Sequence, residues 1–267
     1  MRLPHWIPLI FLFILTHAAS AASAPSIYGK AAIVVDADTG VVLYTKNADQ
    51  RRPVASTQKL LTALLVLEKG NVNGMLTVDR SDTLVAPAKI GLRTGQQYRR
   101  IDLLRTLLVK SSNDVAHCLA RDHSGSEAAF ARLMTRRARQ LGMVNSNFKN
   151  ASGLPADGQY STARDMARLA ITSYHTPAIR AITKIETLPF RFANGRTRTL
   201  HNTNKLLKRM PGVNGLKTGY TNAAGRCLIC SINRDGRNII TVVLGSSSRH
   251  IWNDSRKLLE YGLSQAK

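Results

Sequence analysis

The chain has few of the residues that build a disulfide-bonded scaffold or a base-stacking surface. Three cysteines in 267 residues cannot form a disulfide-dense fold. Aromatic residues make up only 6% of the chain, and no zinc-finger spacing of Cys and His occurs, so a nucleic-acid-binding module is disfavoured. A content of 44% hydrophobic and 20% charged residues excludes wholesale disorder, collagen and a coiled-coil rod. An apolar core must therefore hold the fold, and the chain is long enough to bury one.

Acidic residues are scarce relative to basic ones. The chain has 16 Asp and Glu against 38 Lys and Arg, which gives a formal net charge of +22. The basic residues are scattered along the sequence. Two interpretations fit this charge equally well: long-range attraction to an anionic polymer such as the cell wall, or simple maintenance of solubility.

The apolar run near the N-terminus is too short to cross a bilayer, which takes roughly 20 residues. It covers residues 7–15, follows Met1-Arg2, and precedes two A-x-A sequences at 19–21 and 22–24. This order is typical of a secretory signal peptide. We predict cleavage after Ala21, which leaves residues 22–267 with a net charge of +21. The protein is therefore predicted to be exported, to the periplasm or the cell wall.

The order of the predicted elements indicates an α+β fold. Residues 31–35 and 41–44 predict a hairpin within a sheet covered on both faces, and residues 57–69 predict a buried helix. Residues 75–180 predict an inserted, mainly helical lobe, with helices at 101–109, 114–121, 127–141 and, capped by Ser161, 161–173. Strands are then predicted at 183–192, 216–218, 226–232 and 238–244, before a helix at 251–261. The predicted architecture is an antiparallel sheet flanked by helices, with a cleft beside the inserted lobe.

The segment Ser56-Thr57-Gln58-Lys59 places a hydroxyl and an amine three residues apart at the start of the buried helix. Residues i and i+3 share one helix face, so Lys59 can reach Ser56. A serine becomes a good nucleophile when a base takes its proton, and a lysine can be that base when burial lowers its pKa. By itself the tetrapeptide is weak, because it also fits a solvated helix start.

Two further short motifs follow in order. Ser111-Ser112-Asn113 lies between two predicted helices, where it could equally cap a helix. Lys217-Thr218-Gly219 lies on a returning strand, where it could equally be an edge lysine before a turn. Their order along the chain would place three polar groups around one cleft.

Longer segments around these motifs carry a family resemblance. They are residues 55–63, 110–114, 158–166, 202–207 and 215–225. In them the sequence resembles the penicillin-binding protein and serine β-lactamase superfamily. It is most similar to the low-molecular-mass D-alanyl-D-alanine carboxypeptidases, over roughly residues 28–262. The resemblance implies the β-lactamase/transpeptidase-like fold.

The resemblance also implies the catalytic roles. Ser56 would be the nucleophile that is acylated by a D-Ala-D-Ala substrate, and Lys59 its general base. Ser111 would relay a proton to the leaving amine, and Asn113 would orient the substrate amide.

The remaining implied residues bind substrate. Lys217 and Thr218 would hold the terminal carboxylate, next to Gly219 and Tyr220. The backbone N–H groups of Ser56 and Tyr220 would form the oxyanion hole. No metal and no cofactor is expected. Lys217 would also help to keep Lys59 neutral by like-charge repulsion.

Departures from the family define the alternatives. Many such carboxypeptidases carry a second β-rich domain and a C-terminal anchor, neither of which is expected here, as in the shorter DD-endopeptidases. Ser112 stands where class A β-lactamases have Asp, and no counterpart of their deacylating Glu motif is found. The predicted function is a carboxypeptidase acting on peptidoglycan stem peptides, with β-lactams as covalent inhibitors, no nucleic-acid partner and no firm membrane anchor. A DD-endopeptidase or a non-catalytic wall-binding protein with the same fold are the alternatives.

The three cysteines are predicted to be buried, unpaired thiols. Cys227 and Cys230 form C-x-x-C on a predicted strand, where residues three apart face opposite sides. A disulfide between them is therefore not expected. Cys118 lies on a predicted helix.

Overall fold

The computed structural model describes residues 23–265. The predicted signal peptide, residues 1–21, lies outside the described residues. The described strands are β1 (Ala31–Asp36), β2 (Val42–Lys46), β3 (Met75–Thr77), β4 (Gln97–Arg99), β5 (Thr187–Arg191), β6 (Thr197–His201), β7 (Val213–Thr221), β8 (Gly225–Arg234) and β9 (Arg237–Ser246). The described α-helices are α1 (Lys59–Lys69), α2 (Arg80–Thr83), α3 (Arg100–Lys110), α4 (Asn113–Ser124), α5 (Glu127–Gln140), α6 (Ala163–His175), α7 (Pro177–Thr183) and α8 (Ile251–Gln265). Short 3₁₀ turns cover Ala55–Gln58 and Lys205–Lys208.

Five strands form the main antiparallel sheet, in the order β2-β1-β9-β8-β7. The chain reverses between β8 and β9 at Asp235 and Gly236, which have φ of 51° and 73°. Two consecutive residues with positive φ suit the right-handed twist of a hairpin, and Asp-Gly is a preferred pair for them. The hairpin predicted at Arg234–Arg237 is thereby confirmed. Two smaller antiparallel pairs, β3–β4 and β5–β6, lie outside this sheet.

Both faces of the main sheet are buried, because helices pack on each side. Alternate residues such as Ile33 and Val242 face the larger core, which α1 and α6 share. Their neighbours, such as Val34 and Val243, face a second core against α8. The predicted α+β class, with an antiparallel sheet flanked by helices, is confirmed.

The edge strand β2 corrects one expectation. The prediction placed the whole first hairpin between two covered faces, yet Val42 is 43% exposed, whereas β1 is buried through Val35. The difference arises because β1 lies between β2 and β9, while β2 ends the sheet and is only partly covered by α8. The apolar sequence of β2 therefore does not mean that this strand is covered on both faces.

Helix α1 runs through the centre of the helical region and contacts α3, α4, α5 and α6. All eight residues from Lys59 to Val66 are buried. Such burial on every side is what the nearly continuous apolar sequence predicted. The helix ends at Gly70, whose φ of 77° suits a residue without a Cβ atom.

Two boundaries differ from the sequence prediction. Helix α6 is capped by Thr162, whose hydroxyl accepts from the Asp165 N–H, and not by Ser161, whose backbone pairs with Arg52. The predicted strand 183–192 begins instead in helix α7, and only β5 is extended. Its partner β6 was not predicted, because its polar sequence has no apolar alternation.

The division into a lobe at residues 75–180 stays a prediction. Helix α6, which lies within that range, packs against both α1 and the main sheet.

The three cysteines are buried free thiols, as predicted. Cys227 faces the larger core and Cys230 the second core, so they lie on opposite sides of β8. Burial raises the pKa of Cys227 to about 11 and that of Cys230 to about 12. Among residues 23–265, no helix is both long and apolar enough to cross a membrane.

Candidate active site

Ser56 lies in the 3₁₀ turn that leads into α1, between two backbone segments that approach it closely. A Cβ atom on Gly219 would lie 2.9 Å from the Ser56 nitrogen, and one on Gly153 would lie 2.1 Å from the Ala55 oxygen. No side chain fits at either position. Glycine at 219 therefore lets β7 pass against the turn, which brings the backbone beside Tyr220 close to that of Ser56.

Lys59 is fully buried directly beneath this turn. Its Nζ lies 2.8 Å from Ser56 Oγ, 2.8 Å from Asn113 Oδ1 and 2.6 Å from the Ser152 carbonyl oxygen. The first of these contacts is the i, i+3 contact that the sequence predicted. The other two come from residues 54 and 93 positions away along the chain.

The surroundings of Lys59 favour the neutral amine. Burial lowers its pKa well below the usual 10.5, and the positive charge of Lys217 lowers it further, against weaker opposing effects of Glu127 and Asp114. A neutral amine has two N–H donors and one lone pair. Asn113 Oδ1 and the Ser152 carbonyl can only accept, so they take both donors. The lone pair is then left for the Ser56 hydroxyl, which is the arrangement of a general base with its nucleophile.

Ser111 and Asn113 come from the sharp junction between α3 and α4. Ser111 ends α3 in the left-handed conformation, with φ of 68°, and Asn113 begins α4. Asn113 Nδ2 donates to the Pro87 carbonyl at 2.8 Å, which orients the amide so that Oδ1 faces Lys59. Ser111 Oγ accepts from Lys217 Nζ at 2.7 Å.

The resemblance implies a proton relay through Ser111, and the structure shows one of the two contacts that this relay needs. Ser111 contacts Lys217, but the hydrogen-bond partners of Lys59 among residues 23–265 are Ser56, Asn113 and Ser152. A direct link from Ser111 to Lys59 therefore stays a prediction.

Lys217 and Thr218 face the site from β7. Lys217 is only 1% exposed and donates to Ser111 Oγ and to the Thr218 carbonyl. Burial lowers its pKa to about 7. Thr218 Oγ1 donates to Thr203 Oγ1 at 2.6 Å. A protonated Lys217 and the Thr218 hydroxyl at the end of a cleft can bind a carboxylate, and the negative charge of that carboxylate in turn favours the protonated amine.

Burial of Lys217 should make stability depend on pH. Its folded pKa of about 7 lies below the usual 10.5, so between these values the unfolded chain holds a proton that the folded chain lacks. The free energy of unfolding therefore rises with pH in this window, by about 1.4 kcal/mol per unit for one group. From about pH 7.5 to about pH 9.5, wild-type protein should gain roughly 2–3 kcal/mol more than Lys217→Met, in which position 217 does not titrate. Urea denaturation at both pH values measures this; parallel changes in the two proteins would contradict it.

The predicted side chains surround one cleft of about 530 Å³. Its lining includes Ser56, Ser111, Asn113, Thr218, Gly219 and Tyr220. Lys59 and Lys217 lie beneath this lining and reach it through Ser56 and Ser111. Tyr220 is half exposed at the rim, and its hydroxyl donates to Asn222. The structure thus brings all eight predicted residues to one place.

Several contributing groups were not assigned from the sequence. The Ser152 carbonyl contacts Lys59, and Thr203 positions Thr218. The Asp114 carboxylate accepts from three successive N–H groups, of residues 90–92, and so holds the loop whose Pro87 carbonyl orients Asn113. Thr203 lies in a segment that already carried the family resemblance. Asp114 also lies in such a segment, residues 110–114, although its contacts with residues 90–92 were not predicted. Nothing in the sequence indicated the Ser152 carbonyl, because a contact made by a backbone carbonyl leaves no local pattern of side chains.

Comparison with known proteins agrees with this geometry. The family S11 peptidase profile, described as D-alanyl-D-alanine carboxypeptidase, matches residues 18–248. The D-alanyl-D-alanine carboxypeptidase DacF of Bacillus subtilis is 34% identical over 271 residues, which cover 96% of this chain and 70% of DacF. The D-alanyl-D-alanine endopeptidase of Escherichia coli is 34% identical over 242 residues, covering 88% of this chain and 77% of that protein. A crystal structure of a D-alanyl-D-alanine carboxypeptidase from Mycobacterium tuberculosis superposes with a TM-score of 0.88 at 30% identity, covering 93% of this chain and 96% of that one. Sequence motifs, fold and relatives agree, and the chain belongs to the D-alanyl-D-alanine carboxypeptidase family of peptidases.

Proposed function

We propose that the protein is an exported serine-type D-Ala-D-Ala carboxypeptidase that trims the terminal D-Ala from peptidoglycan stem peptides. The observation that carries the proposal is the 2.8 Å contact between Lys59 Nζ and Ser56 Oγ in a buried setting that favours the neutral amine. A lysine that only stabilises the fold does not require both a serine hydroxyl beside its Nζ and surroundings that favour the neutral amine. A non-catalytic wall-binding protein does not require them either.

In the acylation step, Lys59 takes the Ser56 proton as Oγ attacks the carbonyl between the two D-Ala residues. The N–H groups of Ser56 and Tyr220 stabilise the negative charge that develops on the carbonyl oxygen. The C–N bond then breaks, and the amine of the leaving D-Ala takes a proton that Lys59 gives up through Ser111. Lys217 and Thr218 hold the terminal carboxylate during these steps.

In the deacylation step, a water molecule attacks the Ser56 ester. Lys59 is neutral again after the leaving amine has been protonated, so it can accept a proton from this water. The ester C–O bond breaks, and Ser56 Oγ recovers its proton. The products are D-Ala from the first step and the shortened peptide from the second.

Cleavage of crosslinks is the second candidate function. It is favoured by the 34% identity to the endopeptidase of Escherichia coli, over most of both chains. The chemistry at Ser56 would be the same, with the crosslinking amine as the leaving group. Both substrates lie outside the cytoplasm, which accords with the signal peptide predicted at residues 1–21.

One experiment tests both candidates. Purified protein is incubated with a pentapeptide ending in D-Ala-D-Ala and, separately, with a crosslinked stem dimer. We expect D-Ala release from the pentapeptide to be the faster reaction. Faster cleavage of the dimer would favour the endopeptidase. No reaction with either substrate, together with no mass adduct after treatment with penicillin, would overturn the proposed chemistry.

A further inference from the structure

A second groove lies between the loop at residues 90–96 and the turn that joins β5 to β6. It has a volume of about 360 Å³, and its lining includes Arg93, Gln96, Phe192, Asn194 and Arg196. We call it the β5–β6 groove. Within the described part of the chain, no Asp or Glu lines it, and it shares no lining residue with the cleft at Ser56. The proposed reaction therefore leaves this groove without a role.

The arginines of the β5–β6 groove are not neutralised by carboxylates of this chain. Among the described residues, neither Arg93 nor Arg196 forms an ion pair or donates a side-chain hydrogen bond. A third arginine, Arg198 on β6, donates to the Ile90 carbonyl at 2.8 Å. The guanidinium carbons of Arg196 and Arg198 each lie 5.3 Å from the centre of the Phe192 ring. Because one ring holds both guanidinium groups, an anion beside it is attracted by two charges.

The two amide side chains of the groove have their oxygens engaged by the protein. Gln96 Oε1 accepts from the Tyr98 hydroxyl at 2.8 Å and from the Arg93 N–H at 3.2 Å. Asn194 Oδ1 accepts from the Arg196 N–H at 3.2 Å. These bonds decide which end of each amide is the oxygen. Neither NH₂ group has a protein acceptor among residues 23–265, so both amides retain donors for a ligand.

A lining of guanidinium and amide donors suits a ligand that is negatively charged and carries only acceptors. A phosphate diester has this character, because its two non-bridging oxygens share one negative charge and hold no hydrogen. The planar guanidinium can donate to two such oxygens at once. A groove of about 360 Å³ with a third arginine beside it can hold more than one phosphate, which favours a polymer over a single ion.

The surface around the groove also favours a polymer over a membrane. Within the described part of the chain, none of the large hydrophobic side chains that are exposed lies on the loop at residues 90–96 or on the hairpin of β5 and β6. Surface binding to a bilayer combines basic residues with apolar side chains that enter the headgroup region. This face offers the first without the second.

We propose that the β5–β6 groove binds phosphate groups of an anionic phosphodiester polymer, with Arg93 and Arg196 as charged contacts and Gln96 and Asn194 as neutral donors. Polymer and peptide can be bound together, because the groove and the cleft have no lining residue in common. A bound polymer would hold the protein in place while the cleft stays open. Part of the large positive charge would then serve attraction to an anionic polymer, one of the two interpretations that the sequence left open.

The test measures binding of a fluorescent synthetic glycerol-phosphate hexamer by anisotropy, at about 0.15 M salt. Wild-type protein should bind it at least about threefold more tightly than a hexaglutamate with blocked ends, which carries its charges as carboxylates. The double variant Arg93→Gln, Arg196→Gln should bind the hexamer at least about tenfold more weakly. The control double variant Arg132→Gln, Arg136→Gln removes the same charge from exposed positions of α5 and should lose less than about threefold.

All variants should form the penicillin adduct at the wild-type rate, which shows that they are folded. If the groove double variant does not fold, Arg93→Gln alone carries the test, since that side chain makes no hydrogen bond to the described residues. Equal weakening by the two double variants would assign binding to net charge and overturn the groove.

The comparison ligands test the chemistry of the site. Equal affinity for hexaglutamate would overturn the choice of phosphate. Binding to phosphatidylglycerol vesicles without binding to the hexamer would make this face a membrane surface and overturn the polymer. Wild-type protein that binds the hexamer but forms no penicillin adduct would contradict the proposed function and leave the groove standing.

Discussion

Ser56→Ala is expected to abolish the covalent penicillin adduct and to lower D-Ala release at least about 10⁴-fold. The adduct is an ester on Ser56 Oγ, and the cleft offers no other hydroxyl within hydrogen-bonding distance of Lys59 Nζ among the described residues. Mass spectrometry of the intact protein after penicillin treatment measures the adduct, and release of D-Ala from a pentapeptide measures the reaction. Ser81→Ala, on α2 outside the cleft, is the matched control and should react as wild type does.

The same variant separates an enzyme from a wall-binding protein. Binding to isolated sacculi that follows from the net charge of +21 predicted for residues 22–267 should be retained in Ser56→Ala, and it should weaken with salt. An adduct of undiminished yield in Ser56→Ala would place the nucleophile elsewhere. Wild-type protein that binds sacculi but never forms an adduct would support the wall-binding alternative.

Lys59→Met is expected to slow acylation by penicillin by about 10²–10⁴-fold, the usual contribution of a general base. Methionine fills similar space but cannot take the Ser56 proton. It also leaves Asn113 Oδ1 and the Ser152 carbonyl without their donor, so some loss of stability should accompany the loss of rate. The second-order rate constant for adduct formation is measured beside the urea midpoint, which shows that the variant is folded.

Lys69→Met provides the control on the same helix. Lys69 is exposed at the end of α1 and donates to the His123 carbonyl, away from the cleft. Its substitution should leave the acylation rate within about twofold of wild type. If folded Lys59→Met reacts at the wild-type rate, another group activates Ser56, and the assignment of Lys59 as base is wrong.

The parts of the fold that were predictable have local causes. The apolar residues of α1 cover most of the helix surface, and Asp235-Gly236 forms a turn that few other sequences favour. The strand β6 was missed because its residues are mostly polar and exposed, so only its pairing with β5 makes it extended. The edge position of β2 was not predictable either, because an apolar strand can have the same sequence pattern in the middle of a sheet and at its edge.

The active site likewise has contacts that the sequence predicted and contacts that it did not. By itself the sequence determined the Ser56–Lys59 contact, because three residues of helix bring the two side chains together, and it determined which short motifs resemble the family. Only the tertiary structure decided that Asn113 and the Ser152 carbonyl occupy both N–H donors of Lys59, that β7 passes close enough to require Gly219, and that Arg226 faces the same cleft. These contacts join residues far apart along the chain. Their geometry follows from how helices and sheet pack, and no local pattern of residues contains it.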